Sequence, residues 1–200
     1  MTRYIGPKNK LARRENFDLF GKGVKLRRLN VPPGIHGYKS GQKKLSEYGQ
    51  QLREKQKVKR FYGVLEKQFK LYYDQATKIH GKTGEALLQK LERRLDNVLV
   101  RAGFCPTRSM ARQVVVHMHV KVNNQIVNRP SYQVKPEEMI TLSEKVLKIP
   151  SIVKLLANKD ITIPKWLKRQ AAVCLVTRLP ERDDISEDFQ DQLVVEFYSR

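Results

Sequence analysis

The sequence predicts an α+β fold in three parts: an extended basic N-terminal arm, a helical subdomain, and a middle subdomain of two helices with a small antiparallel sheet. Three observations carry that expectation. Leucines and valines between positions 87 and 115 recur three and four residues apart, the period of an amphipathic helix. The apolar period then drops to two in Val120 and Val122, followed by Ile126 across Asn123-Asn124, a dipeptide that tolerates positive φ and so marks a hairpin. Charge is also unevenly placed: residues 1–60 hold 17 Lys and Arg against 4 acids, residues 61–180 hold 21 against 9, and the last twenty hold 2 against 7.

The arm and its loop occupy residues 1–45. Ile5-Gly6-Pro7 is extended, because the backbone before proline avoids the helical region, and Leu11, Phe17, Leu19 and Phe20 are the apolar anchors. Residues 31–44 are rich in Gly, Pro, Lys and Ser, a loop composition that carries Lys39, Lys43 and Lys44. The helical subdomain spans 46–91 and is rejoined by 185–200. Ser46 is suited to an N-cap, and the spacing predicts one long helix through Leu52, Val58, Phe61, Tyr62, Leu65 and Phe69. Arg53, Lys55, Gln56, Lys57, Lys59, Arg60 and Lys67 crowd its remaining surface. A short helix starts at Thr83-Gly84-Glu85.

The middle subdomain runs from 92 to 184. Leu87, Leu88, Leu91, Leu95, Val98 and Leu99 share one stripe, so Glu92, Arg93, Asp96, Asn97 and Arg101 are expected to face elsewhere. Gly103 follows where a left-handed cap is wanted, and Thr107 is the N-cap of the next helix. There Met110, Ala111, Val114 and Val115 form the buried stripe, with Arg108, Arg112 and His117 on the other side. Strands are expected at 120–122, at Ile126, at 139–142 and at 173–175, with Lys121 turned away from the core.

Residues 92 to about 144 resemble the RNA-binding domain that takes its name from small-subunit ribosomal protein S-four. That domain also occurs in pseudouridine synthases, a tyrosyl-tRNA synthetase group and a heat-shock RNA-binding protein, so the module alone leaves open an RNA-binding or RNA-modification factor outside the ribosome. The flanks favour the ribosomal family. Arg3-Tyr4-Ile5-Gly6-Pro7-Lys8, Pro33-Gly34-Ile35-His36-Gly37, Leu45-Ser46-Glu47-Tyr48-Gly49, Leu52-Arg53-Glu54-Lys55-Gln56-Lys57, Tyr62-Gly63-Val64-Leu65-Glu66-Lys67-Gln68, Leu179-Pro180 and the terminal Leu193-Val194-Val195-Glu196-Phe197-Tyr198-Ser199-Arg200 are all similar to it. The resemblance covers essentially the whole chain.

The resemblance implies a non-enzymatic constituent of the small ribosomal subunit, of bacterial type. Such a protein is a primary binder of small-subunit rRNA at a helix junction in the five-prime domain, and it nucleates subunit assembly. The resemblance also implies a contact with ribosomal protein S-five through the acidic C-terminal region, a contribution to translational accuracy, an mRNA entrance lined by Lys39, Lys43 and Lys44, and a cytoplasmic rather than organellar ribosome. Candidate rRNA contacts in the arm and loop are Arg3, Tyr4, Lys8, Lys10, Arg13, Arg14 and His36. In the helical subdomain they are Tyr48, Gln51, Arg53, Lys55, Gln56, Lys57, Arg60 and Lys67, and in the module Arg93, Arg94, Asn97, Arg101, Arg108, Arg112, His117 and Lys121. Guanidinium forks and ammonium groups neutralise phosphates and release counterions. The competing reading pairs some of these arginines with Glu92 and Asp96. Tyr48 and Tyr62 either stack on splayed bases or sit at the core edge, and His119 has a structural, neutral alternative.

The chain departs from the family at named places. Many members carry a four-cysteine zinc knuckle near the N-terminus; the matching positions here are Asn9 and Ala12, and the second pair is missing from residues 23–31. An arm ordered without metal follows. Asn123-Asn124 stands where Asn-Gly is usual, Glu137-Glu138 where Gly-Asp is, and Met118 where the family more often has Gly or a basic residue.

Composition narrows the classes independently. Forty basic against twenty acidic residues give a net charge of +20, which points to a polyanionic partner. Cys105 and Cys174 are too few for a disulfide framework or a structural zinc site. Apolar runs fall well short of the roughly 20 residues that span a bilayer, and no secretory signal or transit peptide is expected. No nucleophile elbow, phosphate loop, metalloprotease or dinucleotide motif is present, and the adjacent acids Asp183-Asp184 and Glu137-Glu138 diverge rather than form a dyad. Neither cofactor nor metal is expected.

Overall fold

The computed structural model describes residues 4–23, 28–37, 45–158 and 161–200. Arg3, Lys39, Lys43 and Lys44 lie outside the described residues. In chain order the helices are α1 Lys8–Glu15, α2 Glu47–Phe61, α3 Glu66–Ala76, α4 Thr83–Glu92, α5 Leu95–Arg101, α6 Arg108–Val116, α7 Glu144–Leu147, α8 Pro150–Ala157 and α9 Asp191–Ser199. The strands are β1 Val120–Val122, β2 Gln125–Ile126, β3 Met139–Leu142, β4 Leu167–Gln170 and β5 Val173–Val176. Two compact units result: Met1–Gly84 with Phe189–Arg200, and Glu85–Asp188.

In the first unit the Ser46 hydroxyl caps α2 by accepting the Gly49 N–H. The expected single long helix is two. At Gly63 (φ +64°) the Gly63 N–H donates to Arg60 and the Val64 N–H to Lys59, a Schellman closure that ends α2 before α3 begins. Phe61, Tyr62, Phe17 and Phe189 build an aromatic core there, with ring centroids 5.2–6.2 Å apart. Tyr62, at 2% exposed, is therefore a core residue and not a base-stacking platform. In the arm, Ala12 and Leu19 are buried and Lys8 lies over the Phe20 ring. The last helix, α9, packs on α2 and α3: Tyr198 meets Tyr73 of α3 at 4.6 Å, while on α2 Phe197 meets Tyr48 at 5.7 Å and Gln51 donates to Glu196 at 3.0 Å.

In the second unit the leucine stripe is also divided between two helices. Arg94 is extended (φ −64°, ψ 133°) and bridges Gln133, while the Leu95 and Asp96 N–H groups donate to the carbonyls of Tyr132 and Pro130. The stripe reads straight through the break because α4 and α5 both keep their leucines buried. Gly103 (φ +70°) closes α5 with a second Schellman pair, Gly103 to Val100 and Phe104 to Leu99, and Thr107 caps α6 by accepting the Met110 N–H. The sheet is antiparallel throughout, in the order β2-β1-β3-β5-β4. β4 was not legible in the sequence, since Leu167-Lys168-Arg169-Gln170 carries little strand signal.

One register expectation is corrected. Asn123 (φ 48°) and Asn124 (φ 66°) form the turn, so Val122 pairs with Gln125 and Ile126 with Lys121. Ile126 therefore shares the outward face of Lys121 and is 59% exposed, while Val127 packs against the core. That core holds Leu95, Val98, Leu99, Phe104, Val115, Val120, Ile140 and Trp166.

Candidate nucleic-acid interface

Each unit sorts its cations into two groups. In the first, carboxylates hold several of the predicted site residues. Glu15 receives Arg53 at 3.2 Å and also Arg60; its side chain is almost wholly enclosed, and burial pushes its carboxyl up despite both guanidinium neighbours. Glu66 accepts from Lys55 at 2.7 Å, Lys59 at 2.8 Å and the Tyr198 hydroxyl at 2.7 Å. Burial alone raises a carboxyl, yet those three donors prevail and hold Glu66 at about 2. Lys57 pairs with Glu54 at 2.8 Å, and Arg13 spans the Val31 and Pro32 carbonyls at 2.8 and 2.9 Å.

Two of the candidate rRNA contacts on α2, Gln51 and Lys55, are buried instead. Lys55 is 4% exposed and sits over the Phe197 ring at 4.3 Å, and Gln51 is buried against α9. Both tie α9 to α2. Gln56 is half-buried, with an enclosed Oε1. Tyr4, Lys10, Arg14, His36, Tyr48 and Lys67 are exposed, and Lys8 is half-exposed.

In the second unit, Glu92, Asp96 and Asn97 are all buried. Arg94, at 2% exposed, forks onto Asp96 at 3.0 and 2.7 Å and is a buried structural cation. Arg112 approaches the same carboxylate at 3.8 Å. Arg101 donates to Glu92 at 3.0 and 2.7 Å and to Glu187 at 3.0 and 2.6 Å. Its side chain is mostly enclosed; burial alone lowers a guanidinium, but here the two carboxylates prevail and raise it. Asn97 lies between Glu92 and Arg108. Arg93 donates to the Val134 carbonyl at 2.9 Å, and burial lowers its guanidinium. His117 and Lys121 are exposed, and the His119 ring bonds the Ser143 hydroxyl at 3.2 Å.

The sequence offers Glu92 and Asp96 as competing partners for the arginines, and the structure pairs both; Glu15, Glu66 and Glu187 are what sequence reasoning missed, since the cations of Glu15 and Glu187 lie 38 to 86 residues away and those of Glu66 sit on the preceding helix. Both cysteines are buried, which pushes their thiols up to about 12 and makes them poor nucleophiles. Among the described residues no group of His, Cys, Asp or Glu is arranged to hold a metal ion, and no helix is long and apolar enough to cross a membrane.

A capped helix pair with cations on its outer side, leading into a small antiparallel sheet, is the architecture of the S4-domain class. Residues 93–140 match the S4 domain, and residues 3–92 match the ribosomal protein S4/S9 N-terminal domain. Along its full length the chain is 50% identical over 210 residues to small ribosomal subunit protein uS4 of Trichlorobacter lovleyi and equally to that of Hahella chejuensis; to that of Chromobacterium violaceum it is 49% identical over 208. Each alignment covers 100% of both chains. The chain belongs to the uS4 family of small ribosomal subunit proteins.

Proposed function

We propose that this protein is a structural, non-catalytic constituent of the small subunit of a cytoplasmic ribosome, where it binds small-subunit rRNA at a helix junction of the five-prime domain and nucleates assembly. The observation that carries this reading is the end-to-end identity with relatives named as small-subunit proteins. In the first unit Tyr4, Lys8, Lys10, Arg14, His36, Tyr48 and Lys67 are the contacts, with Arg3 beside them in sequence. In the second they are Arg93, Arg108, Arg112, His117 and Lys121. Arg13, Arg53, Lys57 and Arg60 keep part of their surface outward and contribute charge, whereas Gln51, Lys55, Arg94, Asn97 and Arg101 serve the fold. Shape and backbone, rather than a linear sequence, are what such a set recognises.

Binding to the five-prime rRNA domain and to a duplex RNA of equal length, across a salt series, tests the reading. The cognate RNA is expected to keep a large advantage as salt rises and duplex binding collapses. A parallel fall of both would reduce the charge to a general polyanion grip. Lys39, Lys43 and Lys44 line the mRNA entrance in the same reading; replacing all three by Ala is expected to slow translation of a structured message selectively, and equal rates on structured and unstructured messages would remove the assignment. The contact with ribosomal protein S-five, through which accuracy is tuned, belongs to the C-terminal region; cross-linking within assembled subunits would locate it or place it elsewhere.

A further inference from the structure

One enclosed carboxylate in the first unit gathers more positive charge than it can balance. Glu15 ends α1, and its side chain is 1% exposed. Its Oε1 accepts from Arg53 Nη1 at 3.2 Å and from Arg60 Nη1, both on α2. Its Oε2 is enclosed and has no hydrogen-bond partner among the described residues, so the two guanidiniums converge on a single oxygen. Arg14, the residue before Glu15, is exposed and close enough to act on both Glu15 and Arg60. The other carboxylate felt by Glu15 is Glu54, which holds Lys57 at 2.8 Å and accepts the Gln190 N–H at 3.0 Å. Three guanidiniums thus gather round one carboxylate, and the residues of this unit outside the described ones include no Asp or Glu that could offset the excess.

We propose that Arg14, Arg53 and Arg60 form one pocket for a backbone phosphate of the RNA, with Glu15 as the positioning residue that fixes two of its walls. The proposal rests on the rRNA-binding reading and goes beyond it by joining three separate cations into one site. Arg53 and Arg60 keep 32% and 20% of their side-chain surface outward, so the donors that Oε1 does not take remain for phosphate oxygens. Burial lowers the Arg60 guanidinium, Glu15 pulls it up, and Arg53 and Arg14 push it down again; the net is downward, which a further anion relieves. Glu15 restricts the rotamers of both α2 arginines, and burial has removed part of their water. Less is then lost when a phosphate arrives.

The test measures binding of the full-length chain to the five-prime rRNA domain and to duplex RNA across salt. Replacing all three arginines by Ala in the Glu15→Gln background leaves no buried carboxylate without its cations. That variant is expected to bind the cognate RNA about tenfold more weakly and to flatten the salt slope by about one, because the slope counts phosphates rather than cations. A flattening of about three would mean three separate phosphates and would overturn the shared pocket. Arg53→Lys with Arg60→Lys keeps the charge and the pairing with Glu15 but loses the forks; it is expected to weaken binding several-fold without moving the thermal midpoint. Glu15→Gln alone raises the net charge, so a mere charge effect would tighten binding to both RNAs. A positioning role instead weakens cognate binding several-fold and adds little in the two-lysine background. Tighter binding to both RNAs, or a loss that persists undiminished in that background, would overturn the role of Glu15. Inorganic phosphate at constant ionic strength is expected not to displace the RNA; displacement that the arginine-free variant abolishes would make this a site for the free ion and overturn the assignment to RNA. A wild type without preference for the cognate RNA fails the rRNA reading itself, whereas a preference that the arginine-free variant retains in full fails the pocket alone.

Discussion

At the residue scale, Met118 is held in a conformation that an L side chain adopts at a cost. It sits at φ +62° just past α6, where the Met118 N–H donates to Val115 and the His119 N–H to Val114. This is the same closure that Gly63 and Gly103 make at the ends of α2 and α5, but here it is made by a residue with a Cβ. The left-handed penalty is about 1–2 kcal/mol, partly offset because glycine loosens the unfolded chain. Met118→Gly is therefore expected to stabilise the protein by about 1 kcal/mol and to raise the thermal midpoint by about 2–4 °C. A lowered midpoint would mean that the methionine side chain, although exposed, makes a contact worth more than the strain.

At the scale of elements, the two glycine closures differ in what surrounds them. A Cβ at Gly63 would meet nothing within 4 Å, whereas one at Gly103 would meet Arg169 Nη1 at 2.8 Å and Ile161 at 3.0 Å. Arg169 Nη1 also caps the end of α5, donating to the Ala102 and Gly103 carbonyls at 3.1 and 3.3 Å. Gly63→Ala is expected to cost about 1 kcal/mol, the conformational penalty alone, and Gly103→Ala about twice that because the cap must move as well. Urea unfolding of both variants checks the ranking, and equal midpoints would show that Arg169 gives way freely. These closures also explain how much was legible in advance. The helices, the Asn-Asn turn and the Ser46 and Thr107 caps are local events, written within a few residues. The break at Arg94 is written 34 to 37 residues away from the N–H groups that follow it, in the Pro130 and Tyr132 carbonyls, so no window around it reveals it. The candidate site divides in the same way. Its basic character was plain, but which cations turn inward depends on carboxylates brought from other segments, such as Glu66 for Lys55 and Glu187 for Arg101.

For the molecule as a whole, a net charge of +20 makes acid a stress, and one group concentrates the effect. Glu66 lies at about 2 in the folded chain against an ordinary 4.5, because Lys55, Lys59 and Tyr198 overcome the effect of burial. A carboxylate depressed by folding adds stability above about pH 4.5 that is lost as pH falls towards 2. Urea midpoints of the wild type should drop through that window more steeply than those of Glu66→Gln, with the two curves converging at the acid end; parallel curves would show that Glu66 does not couple protonation to folding. The segment that supplies Tyr198 has one more consequence. The first unit is assembled from two stretches of chain separated by the whole of the second, and Phe189 at its aromatic centre belongs to the later stretch. A polypeptide leaving the ribosome emerges from its N-terminal end, so the continuous second unit has all its contacts available first. The beginning of the chain must wait, with Phe17 and Phe61 uncovered, until the residues made last arrive to complete it.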